Sequence, residues 1–190
     1  MGAFEHIIAL LSFVYALAIA HLLMTAARLI ASSERVRFSW FHAYWMANAL
    51  FVLVIDWISF WDMHAVSTWT IASIAMVLMQ SFVDYMQAAL ACPEIPPDGE
   101  IDLVAFHATR ARRYIGAFAV TTVWALVDNL YFGGGYNLAE LTMQNFAVVP
   151  LIFVATFATI VRRRWADIVT ILLLVAIWSF YLAGLQGALK

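Results

Sequence analysis

Six long apolar stretches dominate this chain of 190 residues and limit what it can fold into. An α-helix rises about 1.5 Å per residue, so roughly 20 apolar residues cross the ~30 Å hydrocarbon core of a bilayer. The stretches are continuous and do not alternate, and open sheet edges cannot face lipid, so these stretches favour helices over strands. We therefore predict one all-α domain, residues 1–190, built as a polytopic membrane bundle of six transmembrane helices. The predicted spans are approximately residues 4–30, 38–60, 66–91, 113–132, 141–161 and 165–189.

The composition supports placing this chain in lipid. Hydrophobic residues make up 65% of it and charged residues 12%, and its mean hydropathy is +0.89. A soluble domain is nearer half apolar and a quarter charged. The lipid bilayer is therefore the first expected partner, and no acidic or basic tail indicates a nucleic acid. The single cysteine, Cys92, excludes an intrachain disulfide and a cysteine zinc site.

The arginines predict how the chain is oriented. All nine lie in or beside the connections after predicted spans one, three and five, whereas the connections after spans two and four contain neither Lys nor Arg. The positive-inside rule puts the arginine-rich side in the cytoplasm, so both termini are predicted on the non-cytoplasmic side. The cytoplasmic loop at residues 92–112 is predicted to hold a turn and then a short interfacial helix. The three groups are Arg28/Arg35/Arg37, Arg110/Arg112/Arg113 and Arg162/Arg163/Arg164.

Two segments resemble known proteins. The opening FEHIIALLSFVYALAIAHLL and the acidic, proline-rich loop before Arg112-Arg113-Tyr114 are similar to those of small six-span bacterial membrane proteins. The resemblance implies no particular activity. We predict a multi-pass protein of the bacterial inner (plasma) membrane.

Polar residues recur at intervals of three and four along the third predicted span, which places them on one helix face. A charged side chain at the bilayer centre costs about 3 kcal/mol on insertion scales, so this face is predicted to point into the bundle. The amides and Ser73 are interpreted as hydrogen bonds that hold helices together. Asp84 remains open between a structural and a functional role. The stripe comprises Thr70, Ser73, Val77, Gln80, Asp84 and Gln87.

Counting helical rise from the inner end puts several polar residues at a similar depth, about 10–16 Å into the membrane. We predict that they form an inner layer that binds a proton or small cation. His21 is the first expected partner of Asp84, and Arg28 is the second. The predicted inner layer consists of Asp84, His21, Gln80 and Asn48.

A second polar layer is predicted near the outer surface. Its carboxylates and amides, Glu5, Asp56, Asp128 and Asn129, are also candidates for binding a proton or cation. His6 and His64 are candidate metal or haem ligands there. No span carries Glu-x-x-His or His-x-x-x-His spacing, so the usual di-iron and zinc patterns are not met. The alternative for this layer is a solvated helix end.

Three functions remain open. The first is movement or sensing of a proton or small cation, and the second is a membrane-embedded metal or haem redox protein. The third is an accessory or sensor subunit of a membrane complex without chemistry of its own. The cofactor stays unknown, no catalytic residue is indicated, and non-enzymatic functions are favoured. A retinal Schiff base is excluded because the one lysine, Lys190, is terminal, and neither a GxSxG motif nor a P-loop is present.

Small residues recur at every fourth position of the last predicted span, at Ser179, Ala183 and Gly187. Such spacing lets helix backbones approach closely. It is compatible with a homo-oligomer or partner-subunit contact, but packing inside one bundle is the favoured interpretation.

The orientation is tested with reporter fusions in a bacterial host. Alkaline phosphatase fused after Lys190 should be active, because the enzyme folds outside the cytoplasm, and a green fluorescent protein fused there should be dark. Fusions after Arg37 should give the reverse pattern. Bright fluorescence from the fusion after Lys190 would contradict the predicted topology.

Overall fold

The computed structural model describes residues 2–66, 68–133 and 137–188. Within these residues the chain is all-α apart from two short strands, and 3₁₀ turns cover Ser33–Arg35 and Phe60–Ala65. The elements are α1 (Ala3–Ala31), β1 (Val36–Arg37), α2 (Trp40–Ser59), α3 (Ile71–Ala91), β2 (Ile101–Asp102), α4 (Leu103–Phe132), α5 (Leu138–Asn145), α6 (Val148–Ile160) and α7 (Arg164–Ala188).

Five of the described helices are long and apolar enough to cross a membrane: α1, α2 with the turn after it, α3, α4 and α7. Large apolar side chains such as Phe13, Leu172 and Phe180 stay more than 60% exposed on them. Soluble monomers rarely expose so much contiguous apolar surface, so these side chains are suited to contact with lipid. The structure confirms the all-α class and several helices of membrane-spanning length.

The fifth predicted span, residues 141–161, is divided in the structure. It separates into α5 and α6, with a turn at Phe146 and Ala147. Pro150 accounts for the break, because it has no N–H to donate to the carbonyl of Phe146 four residues earlier. The 13 residues of α6 reach only about 20 Å, too short to cross alone. A count of six spans is thus not confirmed, and the predicted end of the last span at residue 189 lies outside the described residues.

The predicted interfacial helix and the fourth predicted span are continuous. They form the single 30-residue helix α4, with Gly116 as its only glycine or proline. Asp102 marks the start, since its Oδ1 accepts from the backbone N–H groups of Val104 and Ala105, both at 2.9 Å. This is the geometry of an N-terminal helix cap.

The connection between α3 and α4 pairs with the connection between α1 and α2 through strand and side-chain hydrogen bonds. β1 and β2 pair in parallel, with Val36 opposite Ile101. Arg35 donates from Nη1 to the carbonyl of Pro97 at 3.0 Å and to that of Gly99 at 3.4 Å. Gly99 has a φ of 94°, a conformation that other residues rarely adopt. These contacts hold the proline-rich loop in place.

The described chain consists of two compact units, divided within α4 between Ala117 and Phe118. In the first unit, α1 packs chiefly against α3 and α2. The buried face of α1 repeats at intervals of three and four, as expected for a helix packed on one side. That face consists of Ile7, Leu11, Tyr15, Ala18, Leu22 and Thr25.

In the second unit, α6 packs against α7. Ala155, Ala158 and Ala166 are all at most 2% exposed, and such small side chains allow two helices to approach closely. Arg162 Nη1 lies 3.3 Å from Asp167 Oδ1, which places an ion pair beside the first turn of α7.

The cap at Asp102 should make stability depend on pH. The backbone N–H of Ala105, assisted by Arg37 at 3.0 Å, lowers the pKa of the Asp102 carboxyl below its usual value. Stabilisation by such a group is complete above its unfolded-state pKa, and disappears as the pH falls through the folded-state pKa. We expect Asp102→Asn to lower the thermal midpoint of detergent-solubilised protein at pH 7, but not at strongly acid pH. Asp98→Asn, in the same loop, is the control, and a midpoint difference that persists in acid would contradict the assignment.

Candidate functional site

Asp84 on α3 is a buried carboxyl group that accepts hydrogen bonds from side chains of α1 and α3. The Tyr15 hydroxyl of α1 donates to Oδ2 at 2.6 Å, and the Gln80 amide donates to Oδ1 at 3.0 Å. Tyr15, Gln80 and Asp84 are all buried, and Asp84 is only 1% exposed. Gln80 and Asp84 are four residues apart and so share a helix face, whereas Tyr15 comes from the neighbouring helix. Two helices together therefore position this acid.

Gln80 also connects Asp84 to a second acid. Its Nε2 lies 3.3 Å from Oδ2 of Asp56, near the end of α2. A primary amide has two N–H groups, so one is available for each carboxyl group. The two carboxyl oxygens consequently lie within about 6 Å of each other, given two contacts of ordinary hydrogen-bond length to one nitrogen. The result is a row of side chains, Tyr15–Asp84–Gln80–Asp56, which we call the carboxyl relay.

The carboxyl relay joins two predicted layers. Asp56 was expected near the outer surface and Asp84 in the inner third of the membrane, whereas in the structure they share one amide. The Oε1 atom of Gln80 is buried and has no hydrogen-bond partner among the described residues. This oxygen can therefore accept a hydrogen bond from a protonated group or a small hydrated species between α2 and α3.

The predicted stripe on α3 is buried except at its first residue. Thr70 is exposed and caps the helix: its Oγ1 accepts from the backbone N–H of Ser73 at 3.1 Å, and its own N–H donates to Ser73 Oγ at 2.8 Å. Ser73 was interpreted as a link between helices, and in the structure it closes the start of α3. The buried members are Ser73, Val77, Gln80, Asp84 and Gln87.

The two remaining inner-layer candidates lie in different environments. Asn48 is buried on α2, whereas His21 is exposed on α1. His21 lines a cavity together with Thr25 and Arg28. On α1, Tyr15 donates a hydrogen bond to Asp84. The predicted pairing of Asp84 with His21 stays a prediction.

The outer-layer candidates on α1 and in the turn after α2 lie near helix ends. Glu5 Oε2 accepts from the backbone N–H of Gly2 at 3.0 Å, a contact at the start of α1. His6 is exposed, and His64 Nδ1 lies 2.6 Å from the carbonyl oxygen of Trp61. Among the described residues, no group of three or more His, Cys, Asp or Glu side chains is placed to hold a metal ion. A metal or haem role for His6 and His64 stays a prediction.

The outer-layer candidates of the second unit include another buried acid. Asp128 on α4 is 5% exposed. The adjacent Asn129 donates from Nδ2 to Oδ1 of Asn145 at 3.0 Å, and Asn145 donates to the carbonyl of Leu141 at 2.9 Å. These amide contacts hold the end of α5 against α4.

The small residues of the last helix are partly described. Ser179 and Ala183 are exposed on α7. Gly187 lies outside the residues whose surroundings the structure describes. A contact with a second copy or another subunit through these positions stays a prediction.

Two histidines form a buried cluster that the sequence did not single out. The His42 ring packs edge-on against Phe106 at a centroid distance of 5.0 Å, and His107 Nδ1 lies 2.5 Å from the Tyr114 hydroxyl. His42 is fully buried, and within the described chain neither of its ring nitrogens has a hydrogen-bond partner. The cluster packs the start of α4 on α2.

Tyr15 was also missed, although its sequence context carries a signal. The apolar spacing of α1 places it on the same face as Leu11 and Ala18, which is the buried face. A tyrosine on a buried membrane face needs a partner for its hydroxyl. The spacing therefore predicts a hydrogen bond for this hydroxyl inside the bundle, but does not identify its partner.

Comparisons with known proteins do not add to this picture: the chain matches no family model, no curated protein and no solved structure.

Substitutions at Gln80 test the shared amide. Gln80→Met removes both contacts, and hydrogen bonds in membranes average roughly 0.6 kcal/mol, so it should lower the unfolding free energy by about 1 kcal/mol. Gln80→Glu instead adds a third carboxyl group beside Asp56 and Asp84 and should be more damaging at pH 7. Acid should restore the Glu variant, because protonation removes the repulsion between carboxylates. Thermal unfolding in detergent measures this, and equal stability of the Gln and Glu forms at pH 7 would contradict the geometry.

Proposed function

We propose that this protein moves or senses a proton, or a small monovalent cation, through the carboxyl relay inside a bundle of the bacterial inner membrane. The observation that carries the proposal is the amide of Gln80, which contacts both Asp56 and Asp84. An ionisable residue within a membrane helix is a functional candidate by default, because bundle packing alone does not require one.

Electrostatics favours a proton or cation at this pair. Two carboxylates about 6 Å apart repel by about 3 kcal/mol at an effective dielectric constant of about 20. Each ionised acid also costs about 3 kcal/mol to hold deep in the membrane. A shared proton, or one bound cation, removes much of both costs. An anion would increase them.

The partners of Asp84 suit reversible protonation. A phenol hydroxyl can donate to an ionised carboxylate or accept from a protonated one, so Tyr15 can stay bonded in both states. An amide does not ionise in this pH range, so Gln80 holds the carboxyl groups in place and the proton resides on Asp84 or Asp56. The relay therefore has two stable protonation states of similar geometry.

The proposed orientation keeps the arginine-rich connections in the cytoplasm. The basic segment at the start of α4 and the one before α7 share a side only if the chain crosses the membrane between the end of α4 and Arg162. Together, α5 and α6 would provide that crossing, with the break at Phe146 and Ala147 covered by protein. Six crossings and both termini outside follow from this arrangement.

The function is tested with purified protein in liposomes that contain a pH-sensitive dye. We expect an imposed potential to drive proton uptake, and Asp84→Asn to abolish it, because an amide cannot carry the proton. Asp56→Asn should reduce uptake strongly. Asp62→Asn, the same change at an exposed position, is the matched control.

The ion is identified by exchanging the salts. Uptake that persists when Na⁺ and K⁺ are replaced by a large organic cation assigns the proton, and uptake that needs one of the metals assigns that cation. If Asp84→Asn matches the unmodified protein in every salt, the proposal is wrong.

A further inference from the structure

A cavity of about 360 Å³, lined by both polar and apolar residues, opens at the inner end of the helix pair that holds Asp84. The last turns of α1 form one wall, and the end of α3 with the segment that follows it forms the other. Its volume provides room for about ten water molecules at about 30 Å³ each. Its lining consists of His21, Thr25, Arg28, Ala89, Cys92, Pro93, Glu94 and Ile95.

The side chains around this cavity suit water and exchangeable protons. Three of them, His21, Arg28 and Glu94, are exposed and hydrophilic. Arg28 and Glu94 carry opposite charges, so the cavity as a whole does not strongly repel a cation. The ring nitrogens of His21 can donate and accept hydrogen bonds, so this side chain can contact water at the entrance.

The cavity lies along the same two helices as the carboxyl relay. On α1, His21 is six residues from Tyr15, about 9 Å along the axis, and on α3, Cys92 is eight residues from Asp84, about 12 Å. Gln87 lies between Asp84 and Cys92 on α3. It is 2% exposed, and its Oε1 has no hydrogen-bond partner among the described residues. An acceptor oxygen is therefore present between the cavity and the acid.

We propose that this cavity is the aqueous mouth through which protons from the arginine-rich side reach Asp84, with His21 at the entrance and Gln87 between the two. The inference rests on the proposed function, which it extends by naming the side of entry and the route. The relay then opens to cytoplasmic water through α1 and α3, and Asp56 marks its other end.

Cys92 provides a direct test because it is the only cysteine in the chain. A charged, membrane-impermeant methanethiosulfonate reagent reacts with its thiolate, forming a mixed disulfide and releasing methanesulfinate. Burial raises the pKa of the Cys92 thiol, although a hydrogen bond with Thr25 acts in the opposite direction, so labelling is carried out at alkaline pH and then quenched. Mass spectrometry measures how much protein carries the label.

Proton flux is then compared in inside-out and right-side-out membrane vesicles. Reagent added to inside-out vesicles, which expose the arginine-rich side, should label Cys92 and reduce flux about fivefold or more, because the added group displaces water from the cavity. The same reagent outside right-side-out vesicles should neither label nor inhibit. For Cys92→Ser, the ratio of flux with and without reagent should stay at one.

The outcomes separate this inference from the proposed function. If unmodified protein gives no flux above empty vesicles, the proposed function fails. If flux is present and Asp84→Asn abolishes it, but fully labelled Cys92 leaves it undiminished, the function stands and the cavity is not the mouth. Labelling only from the opposite side overturns the inferred side of entry, and failure to label folded protein from either side shows that the cavity is closed to water.

Discussion

A carboxyl group in hydrocarbon must find its hydrogen bonds within the protein, and this requirement at Asp84 organises the first unit. Tyr15 supplies one bond from α1 and Gln80 supplies another from within α3. Because the hydrogen bond from Tyr15 is short-range and directional, it defines one register between α1 and α3. A shift of one helical turn would separate Tyr15 from Asp84 by about 5 Å and leave a buried polar group without its donor.

Much of the architecture can be predicted from the length of apolar stretches and from the spacing of polar residues within them. The apolar length of α1, α3 and α7 and the three-four spacing of polar residues on α3 depend only on helix geometry, which is the same in every protein. The stripe that holds Gln80 and Asp84 was therefore predictable as one face. The break between α5 and α6 was less evident, because the residues around Pro150 are as apolar as a continuous span and hydropathy does not register a missing N–H.

The contacts between helices were harder to predict. Counting residues along each span placed Asp56 and Asp84 in different layers, on the assumption of upright helices with level ends. Helices tilt, their ends are staggered, and a glutamine side chain extends several ångströms from its backbone. Gln80 can thus reach an acid that residue counting places in another layer. Residue type suggested His21 as the first partner of Asp84 and Arg28 as the second, whereas the contact with Tyr15 depends on the register between α1 and α3, which residue type does not predict.

The contact between the α1–α2 connection and the α3–α4 connection has a consequence for the order of assembly. Arg37 and Asp102 are 65 positions apart in the sequence, and three helices are synthesised before the second of them emerges. The α1–α2 hairpin must therefore enter the bilayer without this contact, and the proline-rich loop can dock only after α3 is in place. Docking then joins helices that were synthesised at different times. The β1–β2 pair therefore forms late, and it can form only where the first three helices have packed with their connections close together.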